Sequence, residues 1–273
     1  MYTDLVHQLN ISNLNAQLMQ GAANVAGIVS WDQKVSWDLT GRLDKINPKD
    51  PIIPQVVKDF LPPSLDANLT SKGYLEKGTH LTAQIDFDRY ETWNLKLDQN
   101  PIQGKAANPM LLDVRWNNID RAVPYVGWLK SESGGVKLAL VEGQQDIFVA
   151  TKVSTHKKTM LPAGMYQAKL NLKNNRLNIP NFKFDTADSH LAGSAVIDLP
   201  TDKRQLKWNA VLAAKNFNPQ SMSTAAPVNV LNGQFKANGF ALPNQQVIHL
   251  NDINLTGRLV NQNENVHLTG QST

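Results

Sequence analysis

Alternation constrains this chain more than any other feature. In "LTAQIDFD" the apolar residues Leu81, Ala83, Ile85 and Phe87 fall at every second position, and in "WNLKLD" Trp93, Leu95 and Leu97 do the same. A period of two belongs to the pleated strand, whose successive side chains point to opposite faces. The pattern recurs at Val136, Leu138 and Leu140, at Leu170 and Leu172, at Leu206, Trp208, Ala210 and Leu212, and at Ile253, Leu255, Gly257 and Leu259. Turn-forming stretches lie between the runs: "SESGG", "KNNR", "ANG" and "NQNEN". Many short strands joined by short turns predict an all-β chain, mainly antiparallel, with one apolar and one polar sheet face. Helical periodicity is scarce. At most one or two short helices are expected in loops, one of them from Gln55 to Phe60 within "KDPIIPQVVKDFLPP".

An apolar sheet face of this extent is not left bare in water, because folded monomers rarely expose large apolar patches. Either a second sheet covers it, giving a sandwich, or the sheet curls into a trough that holds an apolar ligand. Alternation alone is compatible with both.

The chain also repeats itself. "LNISNL" from Leu9 is answered by "LNIPNF" from Leu177, and Gly27 in "VAGIVSW" by Gly193 in "LAGSAVI". The spacing from Trp37 to Pro48 returns between Trp208 and Pro219. Leu65, Leu69 and Gly73 of "LDANLTSKGY" match Leu231, Phe235 and Gly239 of "LNGQFKANGF". Landmarks in constant order point to one structural unit used twice, with insertions falling in loops. The expected organisation is a single elongated β-repeat segment over 1–273. Within it, 9–73 is a first, partial copy, 74–176 holds intervening strands, 177–239 is the second copy, and 240–273 starts the next strands. The stretch ahead of Leu177 has no counterpart ahead of Leu9, so the chain is expected to be a piece of something longer.

Composition removes several chemistries. At 273 residues the chain is long enough for a substantial core. The absence of cysteine excludes disulfides, thiolate zinc sites and a cysteine nucleophile. The charge of +4, from 27 basic and 23 acidic residues, is spread without a Lys/Arg block, so no nucleic-acid partner is expected. The histidines His7, His80, His156, His190, His249 and His267 are scattered, none at metal-ligand spacing from another, and no Gly-x-Ser-x-Gly elbow is present. Asp86, Asp88 and Glu91 in "DFDRYE" are the one carboxylate cluster that could hold a cation or serve acid/base chemistry. Since Ile85 and Phe87 alternate with them, a solvated strand face is expected there instead. Trp31, Trp37, Trp93 and Trp208 fall in strand patterns, while Trp116 and Trp128 bracket a loop containing Pro124. No catalytic residue, metal or cofactor is assigned.

Three stretches carry a family resemblance: "VAGIVSWDQKVSWDLTGRLDKINP" with its echo near Trp208, "VRWNNIDRAVPYVGWLKSESGGVKLAL", and "MLPAGMYQAKLNLKNNRLNIPNFKFDT". Together they resemble the TamB family, the inner-membrane-anchored subunits of the bacterial translocation and assembly module, within the AsmA-like superfamily. The resemblance implies a long curved repetitive sheet, or β-taco, in the periplasm of a Gram-negative bacterium. It implies phospholipid acyl chains as ligand, carried between inner and outer membrane. It also implies support of outer-membrane protein assembly, with an outer-membrane barrel partner engaged through parts not present in this chain. The family's membrane anchor and its C-terminal domain are not recognisable in this sequence.

On that resemblance the alternating apolar set becomes the expected lipid-binding lining of the groove. It comprises Leu81, Ile85, Phe87, Leu95, Leu97, Leu138, Leu140, Leu170, Leu172, Leu212, Phe235, Ile253, Leu255 and Leu259. The expectation is a non-enzymatic lipid conduit. The alternative is a repetitive structural or adhesive cell-surface β protein with a closed core.

Overall fold

A computed structural model of the chain describes residues 7–32, 34–47, 64–75, 78–87, 91–99, 109–123, 127–141, 143–155, 161–200, 205–221, 228–242, 245–259 and 265–271. They form an all-β structure of antiparallel strands that follow one another in sequence order, with a single 3-10 turn among the described residues. The proposed helix from Gln55 to Phe60 lies outside the described residues.

The chain divides into two compact units, Met1–Glu142 and Gly143–Thr273. The first holds β1 (Gln8–Leu18), β2 (Gly21–Ser30), β3 (Ser36–Ile46), β4 (Leu65–Tyr74), β5 (Gly78–Asp86), β6 (Thr92–Gln99), β7 (Met110–Val123) and β8 (Gly127–Val141). The second holds β9 (Gln144–Val153), β10 (Gly164–Lys173), β11 (Arg176–Asp185), β12 (His190–Asp198), β13 (Leu206–Phe217), β14 (Val228–Leu242), β15 (Gln245–Leu259) and β16 (Asn265–Gln271). The 3-10 turn, Pro219–Ser221, follows β13. The division falls inside the stretch read from sequence as intervening strands.

Two of the four turn-like stretches are not turns. "SESGG" lies inside β8 and "ANG" inside β14. Their glycines serve packing: Gly134 of β8 faces Trp116 across the ladder, and Gly239 of β14 faces Trp208. A Cβ on Gly239 would come within 2.8 Å of the Trp208 ring, and one on Gly134 would overlap the Trp116 ring. "KNNR" is a true hairpin, with Lys173 opposite Arg176 and both Asn174 and Asn175 at positive φ, as a two-residue primed turn requires. "NQNEN" lies almost wholly outside the described residues.

The two repeat copies share pairing in detail. Trp37 lies across from Gly73 as Trp208 lies across from Gly239. The β1–β2 register shifts between Ile11 and Leu14, and the β11–β12 register shifts at the corresponding place, between Ile179 and Phe182. A second shift between Leu43 and Ile46 matches one between Ala214 and Phe217. In both of these bulges the residue before the last is left-handed, Lys45 at φ 53 and Asn216 at φ 49. In both, its N–H donates to a side chain of the next strand at 2.7 Å, Asp66 in one copy and Asn232 in the other. One sequence landmark needs correction. Gly27 pairs with Ile11, whose counterpart Ile179 pairs with Ala195, while Gly193 pairs with Phe182. Gly27 and Gly193 therefore sit two residues apart in the common register. Pro48 lies outside the described residues.

Candidate functional site

Residues directly opposite in an antiparallel ladder share a face, so the register reads out each face row by row. In the first unit one row runs Ala16, Ala23, Leu43, Ala67, Ile85, Trp93, Trp116 and Gly134. The next runs Leu14, Val25, Gly41, Leu69, Ala83, Leu95, Val114 and Val136. A third runs Ile11, Gly27, Leu39, Ser71, Leu81, Leu97, Leu112 and Leu138. Eight strands thus contribute one continuous apolar face. Its only polar member in these rows is Ser71, whose hydroxyl accepts the Trp37 indole N–H at 2.9 Å.

The predicted lining residues of this unit are brought together. Leu81 faces Leu97, Ile85 faces Trp93, Leu95 lies between Ala83 and Val114, Leu138 faces Leu112, and Leu140 faces Met110. Phe87, just past β5, packs edge-on against Trp93 with ring centroids 5.4 Å apart. Trp116, read from sequence as bordering a loop, sits in the same face and is buried, 5.8 Å from Trp93 between centroids.

The second unit has the same construction. Leu170 faces Ile147 and Leu172 faces Leu177. Leu212 lies between Gly193 and Phe235, Phe235 faces Ile253, and Leu255 lies between Gly233 and Leu268. The backbone of Leu259 pairs with Val228, and its side chain is outside what is described.

The opposite face carries charge. Lys72 pairs with Asp38 at 2.6 Å and Lys137 with Asp113 at 3.7 Å in the first unit; Lys236 pairs with Asp252 at 3.3 Å in the second. Each couple is directly cross-strand, the geometry in which opposite charges help a sheet, by about 0.2–1 kcal/mol. Hydrogen bonding to the His80 ring holds the Asp98 carboxyl below the usual carboxylate range, and the Arg115 guanidinium does the same to Asp113. One face is thus wet and the other dry in chemistry.

The apolar face is not sealed. Among the described residues only nine hydrophobic side chains are buried, and most of the face is half-buried. Inter-strand packing within each unit links strands that are neighbours in sequence, and among the described residues no second layer lies over the face.

Sequence reasoning misplaced one carboxylate. Asp86 does lie on the polar face, across from Thr92, and Asp88 is outside the described residues. Glu91 is not solvated: it is 4% exposed. Its carboxylate accepts the Trp93 indole N–H at 2.8 Å and the Arg121 Nε–H at 3.1 and 3.0 Å to its two oxygens. Arg121 also lies over the Phe87 ring, 5.9 Å from its centroid, and its Nη2 is buried without a hydrogen-bond acceptor. Ile119 and Ser131 are buried, and Ser131 accepts the Trp116 indole N–H at 3.0 Å. This cluster closes the β5–β8 part of one margin of the first unit's apolar face. The signal for it was weak, because Glu91 and Arg121 are thirty residues apart and their pairing depends on β7 outrunning β6.

Among the described residues no three His, Asp or Glu side chains converge to hold a metal ion. No protein family, curated protein or solved structure matches this chain.

Proposed function

We propose that this chain is a segment of a non-enzymatic lipid conduit in the bacterial periplasm, moving phospholipid between inner and outer membrane in support of outer-membrane biogenesis. One observation carries the reading: an apolar face eight strands wide in the first unit and continued across the strands of the second, half-buried and, among the described residues, without a covering layer. Such a face needs an apolar occupant. Burying one acyl chain of roughly sixteen carbons, at about 0.8 kcal/mol per methylene, would contribute on the order of 12 kcal/mol before entropy costs. Rows of similar aliphatic residues let an alkyl chain slide with little change in energy, so passive movement requires no catalytic side chain. The charged opposite face stays in water.

The competing reading, a structural or adhesive β protein, requires a closed core. The incomplete burial of the apolar rows counts against it.

The test is photo-crosslinking in the full chain. A photoreactive residue at Leu170, on the apolar face, is compared with one at Lys169, on the other. Lipid adducts at 170 and not at 169 support the conduit. Equal labelling, or none at 170 in folded protein, refutes it. Native mass spectrometry for co-purified phospholipid gives an independent readout.

A further inference from the structure

The apolar face of the first unit has two unlike margins. One is closed by the Glu91–Arg121 pair with Phe87, Trp93 and Trp116 packed beneath it. At the other, the last paired row of the face begins with Leu9, Val29, Trp37 and Gly73 over β1–β4 and turns polar at Thr79 and Gln99 on β5 and β6. The ladder does not stop there. Trp31 N–H donates to the His7 carbonyl at 2.8 Å, and Leu75 N–H donates to the Val35 carbonyl at 2.9 Å. These residues lie two positions beyond the last row along each strand, so alternation returns them to the apolar side. The row between, Ser30, Ser36 and Tyr74, belongs to the opposite side. Trp31, Val35 and Leu75 are 43%, 39% and 69% exposed. Over β1–β4 the apolar face therefore runs out past the strand ends into open water on one side, while over β5–β8 it terminates on a buried ion pair on the other.

We infer that the Trp31–Val35–Leu75 row is the lip over which acyl chains pass onto and off the apolar face of the first unit. This rests on the lipid reading above. The chemistry of the row selects an alkyl chain over a polypeptide. A polypeptide laid along a strand end would need backbone partners, and the amides of Trp31 and Leu75 and the carbonyls of His7 and Val35 are already engaged. An alkyl chain needs none. An indole suits a boundary between apolar surface and water, since its body is apolar and its N–H can stay hydrated. The β5–β8 part of the other margin repels the same ligand, because reaching past it would strip Glu91 and Arg121 of each other in a dry setting.

The test loads the full chain from vesicles of phosphatidylethanolamine and phosphatidylglycerol doped with a phosphatidylethanolamine that carries a tail diazirine. Adducts on the peptide containing Leu81, in the middle of the face, are followed over time. Leu75→Glu and Trp31→Glu should slow their appearance at least roughly tenfold, because a passing alkyl chain must then contact a carboxylate. Leu111→Glu, on the opposite face, should leave the rate unchanged. Leu75→Gln keeps the test open if a charged variant fails to fold, with circular dichroism as the check; it should slow loading in the same direction. Loading at Leu81 that persists at the native rate in folded lip variants overturns the lip and leaves the conduit standing. Absence of lipid at Leu81 in the native chain overturns both.

Discussion

Trp37 covers Gly73: the two face each other across β3 and β4, and a Cβ at position 73 would overlap the indole. The same relationship holds between Trp208 and Gly239, and between Trp116 and Gly134. A large ring laid over a glycine on the neighbouring strand restores the packing that glycine omits. Gly73→Ala and Gly239→Ala should each destabilise by about 1–3 kcal/mol through overpacking. Gly41→Ala is the control, since its Cβ would meet nothing closer than 3.6 Å. Urea denaturation midpoints separate the two classes.

The matched bulges make a second prediction. Lys45 and Asn216 hold a backbone conformation that non-glycine residues seldom adopt, each fixed by a side-chain acceptor on the next strand. Asp66→Ala and Asn232→Ala should each cost about 0.5–1.5 kcal/mol, the net worth of a typical intramolecular hydrogen bond. Amide exchange at Lys45 and at Asn216 should accelerate in the respective variant and not in the other.

For the Glu91–Arg121 pair, removing one partner is the sensitive experiment. Glu91→Ala strands a largely buried guanidinium and should cost about 3–5 kcal/mol. Replacing both residues with Met should recover much of that loss, because apolar side chains suit the Phe87–Trp93–Trp116 surroundings. Thermal unfolding of the native chain and the two variants provides the comparison.

Alkaline stability should report on Tyr166. Burial pushes its phenol up to about 12, and its hydroxyl donates to the Pro162 carbonyl at 2.8 Å. In the unfolded chain a tyrosine titrates near 10. The unfolded state therefore releases this proton first, so the contribution is complete below about pH 10 and is lost as pH rises toward 12. Tyr166→Phe should flatten that decline, measured as urea midpoints across the same interval.

The strands were legible because alternation is a local signal: Leu81, Ile85, Leu95 and Leu97 stand on one face because a pleat allows nothing else. Glycine was harder. At "ANG" and "SESGG" it signals a turn by composition, yet Gly239 and Gly134 are flat within strands because a tryptophan lies opposite, and that partner is distant in sequence. The same limit applied to Gly27 and Gly193: likeness in sequence could not reveal a two-residue slip in pairing, since a bulge changes register without changing residue type. Of the candidate site, the floor could be read directly and the margins could not. Glu91 looked like its acidic neighbours until β7 supplied Arg121.

Every strand in each unit pairs with its sequence neighbours and runs antiparallel to them. Direction along the sheet therefore alternates, and a strand at an odd place in the order ends at the margin where an even one begins. The Trp–Gly pair on β3 and β4 reappears ten strands later on β13 and β14, an even displacement. Within a unit, gaining or losing one strand would turn every later strand the other way and carry its end residues to the opposite margin. Length variation in this architecture is thus quantised in hairpins. Relatives of different length should differ by whole pairs of strands, keeping each margin's chemistry on its own side.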